Sequence, residues 1–168
     1  MEGSFCGSWV CAAEKLIIRK DGETFSCSLP RKNLGLVFDQ SLVVSEFDED
    51  TASAGVGVYS PIGDGYSNFA LWSSMRTIGK LGSGIALKND GVRGFNGEYA
   101  VKYFLEACEA GAFVVKIDVS ANKRIYTLSW FLEDKSILHG IGIMFDHNLA
   151  FSWGDTNCKL DFSMFSHI

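Results

Sequence analysis

Residues 142–152 read GIMFDHNLAFS, a segment in which two apolar runs flank a short polar stretch. Phe145 and Leu149 border that stretch, and the aspartate and asparagine inside it favour tight turns. Two apolar runs joined in this way are typical of a β-hairpin. The segment therefore predicts two antiparallel strands joined by a tight turn, with the side chain of Asp146 capping the turn.

The same pattern occurs earlier in the chain. Residues 35–45 read GLVFDQSLVVS, and Gly, Phe, Asp, Leu and Ser stand at the same spacing in both segments. The repeat predicts that 35–45 and 142–152 form equivalent hairpins with Asp39 and Asp146 in the same turn position. It also indicates an internal duplication inside one β domain that spans residues 1–168.

Apolar and polar residues alternate in several other segments, among them 113–119, 125–132 and 157–164. A period of two places one apolar and one wetter face on a strand, as half-buried antiparallel strands require. Paired glycines such as Gly55 and Gly57 suit strands that bend sharply or that a large aromatic side chain approaches. The sequence predicts an all-β fold: an antiparallel barrel with mainly meander order, or alternatively a two-sheet β-sandwich.

Residues 99–110 allow two interpretations. Tyr99, Val101, Tyr103 and Leu105 alternate as in a strand, while the good helix formers of 105–110 fit a short helix. Because the segments on both sides are predicted strands, we favour a strand followed by a bulge.

Composition narrows the function classes. The net charge is −5, and the 15 basic residues are scattered, so neither nucleic-acid binding nor docking on an anionic membrane is expected. The N-terminal residues lack the basic and apolar regions of a secretory signal, and we expect a cytoplasmic location. The odd number of cysteines predicts reduced thiols at all five positions: Cys6, Cys11, Cys27, Cys108 and Cys158.

Motifs for catalysis or metal binding are missing from the sequence. No zinc-binding motif has the spacing found between the three histidines, which are His139, His147 and His167. Ser83, between two glycines, lies in a predicted strand with no helix after it, unlike a nucleophile elbow. We expect no metal, no cofactor and no catalytic residue.

Aromatic residues are the remaining candidates for a site. Spaced by two, they line one face of a strand, and the face could either fill the barrel or surround a ligand. The residues predicted to contact a ligand are Tyr99, Tyr103, Tyr126, Trp130, Phe151 and Trp153.

Two resemblances point the same way. Gly7-Ser8-Trp9 resembles the Gly-x-Trp motif that opens the lipocalins and their calycin relatives. That resemblance implies an eight-stranded up-and-down barrel, whose bottom the tryptophan closes and whose open end takes small apolar ligands. The Gly-Ile-Gly, Leu-Ala and Ser-Trp-Gly elements of residues 140–154 are also similar to uncharacterised bacterial duplicated β-barrel proteins, from which no function is carried over.

Three functions are therefore ranked. Non-enzymatic binding of a small, largely apolar ligand inside the barrel comes first. A protein–protein interaction module with a solid core comes second, and an enzyme with a scattered polar site comes third. An internal cavity with polar groups at its mouth would favour the first, and a filled interior beneath an exposed apolar patch would favour the second.

Overall fold

The computed structural model describes residues 7–11, 14–28, 31–48, 51, 53–63, 65–90, 92–121, 124–156 and 160–166. Within these ranges the chain forms 14 strands, joined by turns and loops without any helix. The all-β prediction is confirmed.

Eight of these strands close into an antiparallel barrel. Each strand pairs with the next one along the chain, and the last pairs with the first, so the barrel is an up-and-down meander without free edges. The barrel strands are β6 (Ala54–Ile62), β7 (Ser67–Ser74), β8 (Gly82–Lys88), β9 (Gly97–Leu105), β10 (Cys108–Val119), β11 (Ile125–Leu132), β12 (Lys135–Phe145) and β13 (Asn148–Asp155).

The other strands form an open sheet of six strands in the order β1-β2-β3-β4-β5-β14. All neighbours are antiparallel, and the C-terminal strand joins the sheet beside β5. Its strands are β1 (Gly7–Cys11), β2 (Glu14–Asp21), β3 (Thr24–Cys27), β4 (Lys32–Phe38), β5 (Ser41–Phe47) and β14 (Leu160–Ser166).

Three apolar clusters follow from this arrangement. The first fills much of the barrel, around Tyr59, Val115 and Leu128. The second joins the sheet to the outer wall of the barrel, where Leu36 and Val43 of the sheet pack with barrel residues such as Val56. The third lies on the other face of the sheet and contains Ile18, Phe25, Cys27, Leu42 and Val44.

The period of two predicts these orientations correctly in the barrel. In β10, Val115 and Ile117 are buried in the interior, whereas Lys116 and Asp118, which alternate with them, are exposed. Both faces of β5 are buried, because the sheet has the barrel on one side and the third cluster on the other.

Residues 99–110 contain strand and a turn but no helix, as the strand interpretation predicts. β9 ends at Leu105, and Glu106 and Ala107 form a turn in which both residues have positive φ. The register with β10 shifts between Glu109 and Gly111, which is a β-bulge.

The hairpins β4–β5 and β12–β13 have matching geometry. Phe38 pairs with Ser41 and Phe145 with Asn148, so each turn contains two residues. The first of these is an aspartate with positive φ in both turns, 54° at Asp39 and 49° at Asp146. The two segments are thus equivalent hairpins, and their origin by duplication stays a prediction.

The position of β1 departs from what the lipocalin resemblance implies. Gly7-Ser8-Trp9 lies in β1, at the edge of the open sheet, and its backbone pairs with β2. A tryptophan that closes a barrel would belong to a barrel strand, so the Gly-x-Trp motif does not have its lipocalin position here. The sandwich alternative is also wrong, because the larger sheet closes on itself.

Candidate functional site

Large aromatic side chains fit inside the barrel because glycines face them on the neighbouring strands. Gly57 pairs with Phe151, and a Cβ at Gly57 would lie 2.5 Å from the phenyl ring. Gly82 faces the indole of Trp72 even more closely. The glycine pairs noted in the sequence therefore mark places where an aromatic ring approaches the backbone.

One end of the barrel contains a cavity of about 380 Å³. This end, called the open end, is formed by the loop 75–81 and the turns at 106–107 and 133–134. Arg76 and Ala110 line the cavity and are exposed, so it opens to solvent. Its apolar wall is formed mainly by Trp72, Tyr103, Phe113, Trp130, Phe151 and Trp153, and hydroxyl groups of Ser53, Ser74 and Thr77 lie among the remaining lining residues.

The opposite end, called the closed end, is filled by protein. Phe95 is buried there and packs edge-to-face on Tyr126, with ring centroids 6.5 Å apart. The Tyr99 hydroxyl donates a hydrogen bond of 2.8 Å to the carbonyl oxygen of Gly94, in the loop that carries Phe95. The barrel is thus accessible from one end and plugged at the other.

A group of polar atoms lies in the barrel interior below the cavity. The indole Nε1–H of Trp130 donates a hydrogen bond of 2.9 Å to the hydroxyl oxygen of Tyr103. The hydroxyls of Tyr103 and Tyr59 share a further hydrogen bond. Phe151 stacks on Tyr59 at 4.7 Å between centroids and lies 5.8 Å from the Trp130 ring, so the rings hold this hydrogen-bonded group in place.

Burial moves the pKa values of these phenols further above neutral pH. Desolvation raises the pKa of Tyr103 to about 12, although its hydrogen bonds with Tyr59 and Trp130 act in the opposite direction. The same cause raises the pKa of Tyr59 well above its usual value. Both side chains therefore keep their O–H at neutral pH and act as neutral donors and acceptors.

The rim of the cavity is held by the open sheet. The backbone N–H of Gly79, in the loop 75–81, donates to the Thr24 hydroxyl at 2.9 Å, and its carbonyl accepts from Glu23 N–H at 2.9 Å. A Cβ at Gly22, whose φ is +59°, would collide with the Gly79 carbonyl. The turn between β2 and β3 thus fixes the loop that carries Arg76.

The six residues predicted to contact a ligand all face the barrel interior, but they divide between its two ends. Tyr103, Trp130, Phe151 and Trp153 line the cavity. Tyr99 and Tyr126 pack at the closed end with Phe95, away from the cavity lining.

Sequence reasoning missed two aromatic residues of the wall, Trp72 and Phe113. Phe113 begins the alternating set 113–119, so its inward orientation was available from the pattern. Trp72 stands two residues after Ala70, which is buried in the same interior cluster. Arg76 was missed because a loop residue carries no periodic signal.

The remaining chemical groups are dispersed. Among the residues that the structure describes, no group of three or more His, Cys, Asp or Glu side chains could hold a metal ion. Cys27 is buried and Cys108 exposed, and both are free. The side chains of Cys6, Cys11 and Cys158 lie outside the part that the structure describes, so their reduced state stays a prediction.

The barrel wall that faces away from the sheet carries exposed apolar side chains. A groove of about 440 Å³ runs along β8–β11. Its lining includes Ile85, Leu87, Val114 and Leu132, all exposed, together with Lys102 and Glu133. This groove is called the outer groove.

Comparisons with known proteins return no relative: no protein-family model, no curated protein and no solved structure matches the chain. The described part of the chain holds no helix that is long and apolar enough to cross a membrane.

Proposed function

We propose that the protein binds a small, largely apolar ligand in the cavity at the open end of its barrel, without catalysing a reaction. The observation that carries this proposal is the cavity of about 380 Å³ enclosed by aromatic side chains. Ligand sites usually have volumes of roughly 300–1,000 Å³ with apolar walls and few polar groups. A ligand would gain roughly 25 cal/mol per Å² of apolar surface buried, before the cost of ordering it.

The distribution of polar groups supports binding at this end. Arg76 and Thr77 lie at the rim, and the Tyr103 hydroxyl lies among the rings. A ligand would therefore meet apolar walls along its length and polar groups at its two ends.

The composition of the lining favours binding over catalysis. None of the described residues that line the cavity is Asp, Glu, His or Cys. These residue types supply most general bases and nucleophiles. The phenol of Tyr103 has a pKa of about 12, so it is protonated and a poor base at neutral pH.

Blocking the cavity tests the proposal. Ala110 and Ala112 are both exposed residues of β10, but Ala110 lines the cavity and Ala112 lines the outer groove. We expect Ala110→Trp to weaken binding of a hydrophobic fluorescent dye at least tenfold, because the indole would occupy the mouth. Ala112→Trp, the matched control, should leave the affinity unchanged.

Native mass spectrometry of freshly purified wild-type protein complements the titration by revealing a ligand retained from the cell. Dye binding that survives Ala110→Trp, or that is absent in the wild type with no retained ligand, would contradict the proposal.

The second candidate is an interaction module, and the outer groove is the observation that favours it. Monomeric proteins rarely expose large contiguous apolar patches. A second copy of the chain is the partner that fits best, because Lys102 and Glu133 both border the groove. In a twofold pairing, the cation of each copy can face the carboxylate of the other.

Light scattering during size-exclusion chromatography tests this second candidate. We expect a dimer that Leu87→Glu dissociates, since Leu87 lies in the groove, whereas Val92→Glu, at an exposed site outside the groove lining, leaves it intact. A wild-type monomer at high micromolar concentration would exclude this use of the groove.

A further inference from the structure

The hydrogen-bonded group of Tyr59, Tyr103 and Trp130 contains more donors than it uses. The indole has one N–H, and each phenol has one O–H, which makes three hydrogens. The structure gives this group two hydrogen bonds, one between Trp130 and Tyr103 and one between the two phenols. One hydroxyl hydrogen is therefore left without an acceptor inside the group.

The position of each phenol decides which hydrogen is left over. If Tyr103 donated to Tyr59, the hydrogen of Tyr59 would be the spare one. Tyr59 is 1% exposed and does not line the cavity, and burying an unpaired donor there would be costly. If Tyr59 donates to Tyr103, the Tyr103 oxygen accepts two hydrogen bonds, and its own hydrogen is available to the cavity that Tyr103 lines. The second arrangement avoids the buried unpaired donor.

We infer that the ligand of this cavity carries an uncharged hydrogen-bond acceptor, such as a ketone or ester carbonyl oxygen, which accepts the O–H of Tyr103 at the inner end of the site. The inference rests on the proposed function and specifies the chemical class of the ligand. Such a ligand is an apolar molecule that carries one hydrogen-bond acceptor at the end lying deepest in the cavity.

The charge around the inner end favours a neutral acceptor. The one cationic side chain among the described lining residues is Arg76, which is exposed at the rim. A carboxylate beside Tyr103 would be buried without a cation, which is costly. The raised pKa of Tyr103 makes its O–H a lasting donor at neutral pH. A carboxylate ligand would instead place its charged group at the rim.

The volume sets the size of a test ligand. At ~30 Å³ for each water molecule in the liquid, a cavity of about 380 Å³ corresponds to about a dozen non-hydrogen atoms. The naphthalenes 2-acetylnaphthalene, 2-isopropenylnaphthalene and 2-naphthoate have this size and share one skeleton. They carry a neutral acceptor, no acceptor and an anionic acceptor, respectively.

The first experiment uses the wild-type protein and measures the affinity of each naphthalene by isothermal titration calorimetry. We expect the ketone to bind roughly three- to tenfold more tightly than the isopropenyl compound, which is the range of one net hydrogen bond. The infrared band of the bound ketone carbonyl should lie below its frequency in an apolar solvent. Tighter binding of the naphthoate than of the ketone would overturn the inference.

Variants then locate the donor. Tyr103→Phe removes the proposed donor, and Tyr59→Phe is the matched control, because it removes a hydroxyl from the same hydrogen bond outside the cavity lining. The ketone should keep its advantage in Tyr59→Phe. Since Tyr103→Phe releases the indole N–H of Trp130, which lines the same cavity, full loss of the advantage is expected in the Tyr103→Phe, Trp130→Phe double variant, compared with Trp130→Phe alone.

The outcomes separate the two proposals. If all the naphthalenes bind equally and the carbonyl band does not shift, the inferred ligand class is wrong while binding in the cavity stands. If none of them binds the wild type, both are wrong. The wild-type affinities and the carbonyl band give this answer even if a variant fails to fold.

Discussion

The hairpins β4–β5 and β12–β13 share a sequence pattern, a register and a turn, yet one belongs to an open sheet and the other to the wall of a closed barrel. They pack against each other through equivalent residues. The rings of Phe38 and Phe145 meet edge-to-face at 6.2 Å, and the hydroxyls of Ser45 and Ser152 are hydrogen-bonded. A contact between a residue and its own counterpart is what a twofold-symmetric interface produces.

The faces that point away from this contact differ. In the barrel hairpin, Phe151 and Trp153 enter the interior and meet glycines on β6. The equivalent positions of the sheet hairpin hold Val44 and Glu46, which are smaller or charged. The shared local pattern thus builds the hairpin, while the aromatic rings and the glycines opposite them distinguish the strands that curl into a barrel.

The largest expected difference concerns two equivalent glycines. A Cβ at Gly142 would lie 2.9 Å from the carbonyl oxygen of Ala150, so backbone must move. A Cβ at Gly35 would lie 3.3 Å from the equivalent carbonyl oxygen, that of Val43, and 3.2 Å from the side chain of Leu42, so a smaller shift suffices. We expect Gly142→Ala to lower the free energy of unfolding by about 2–3 kcal/mol through overpacking. Gly35→Ala should cost less than about 1 kcal/mol, because restricting the unfolded chain offsets part of the strain.

Urea denaturation of both variants measures this difference. Equal losses would show that the two hairpins are under the same packing constraint, and the distinction drawn between barrel and sheet would not hold.

The hydrogen bond between the two equivalent serines gives the next largest effect. Ser45 and Ser152 are fully buried at the contact between sheet and barrel. Ser45→Ala or Ser152→Ala alone should cost about 1–2 kcal/mol, because the remaining hydroxyl loses its partner in a buried place. The double variant should cost clearly less than the sum of the two.

A double-mutant cycle with denaturation melts provides the coupling energy. Ser74→Ala combined with Ser45→Ala is the control, since the Ser74 hydroxyl bonds Thr77 instead, and its effect should be additive. Additive losses for Ser45 and Ser152 would mean that the contact between equivalent residues contributes nothing specific.

The strands, the two hairpins and the existence of a barrel were predictable because they depend on local patterns. Alternation places Val115 and Ile117 inside, and a polar two-residue turn fits between Phe145 and Asn148. The division of the strands between a barrel and a sheet was not predictable, because both hairpins carry the same local pattern. Pairings such as β14 with β5 join segments more than 100 residues apart. The alternation of apolar and polar residues within a strand does not predict such pairings.

For the candidate site, too, the sequence predicts which side chains face the barrel interior but not at which end of the barrel they lie. Spacing by two identified Tyr103, Trp130, Phe151 and Trp153 as inward-facing. The same spacing could not separate these residues from Tyr99 and Tyr126, because the plug that fills one end of the barrel comes from a loop. Phe95 is buried through contacts with distant parts of the chain, which its local sequence does not predict.

The smallest expected difference between sheet and barrel is the pH at which each begins to lose stability, and it can be measured only in alkaline solution. Burial, assisted by the nearby Glu46 carboxylate, raises the pKa of the Cys27 thiol from about 9 to about 11. Cys27 belongs to the sheet cluster, whereas in the barrel Tyr99 and Tyr103 have a pKa raised from about 10 to about 12. In each case the folded protein retains a proton that the unfolded chain releases at lower pH.

The direction of the effect follows from proton linkage. The contribution of Cys27 to stability is fully present below about pH 9 and is lost as the pH rises toward about 11, and that of the tyrosines is lost between about pH 10 and 12.

Between pH 8 and 10.5 we therefore expect Cys27→Val to lose less stability than the wild type. Cys108→Ala, which replaces an exposed free thiol, should follow the wild type. Denaturation melts at both pH values provide the comparison, with absorbance at 295 nm monitoring tyrosine ionisation. If the free energy of unfolding falls equally with pH in Cys27→Val and in the wild type, the folded sheet does not raise the pKa of the thiol. The first loss of stability in alkali would then come from the tyrosines of the barrel.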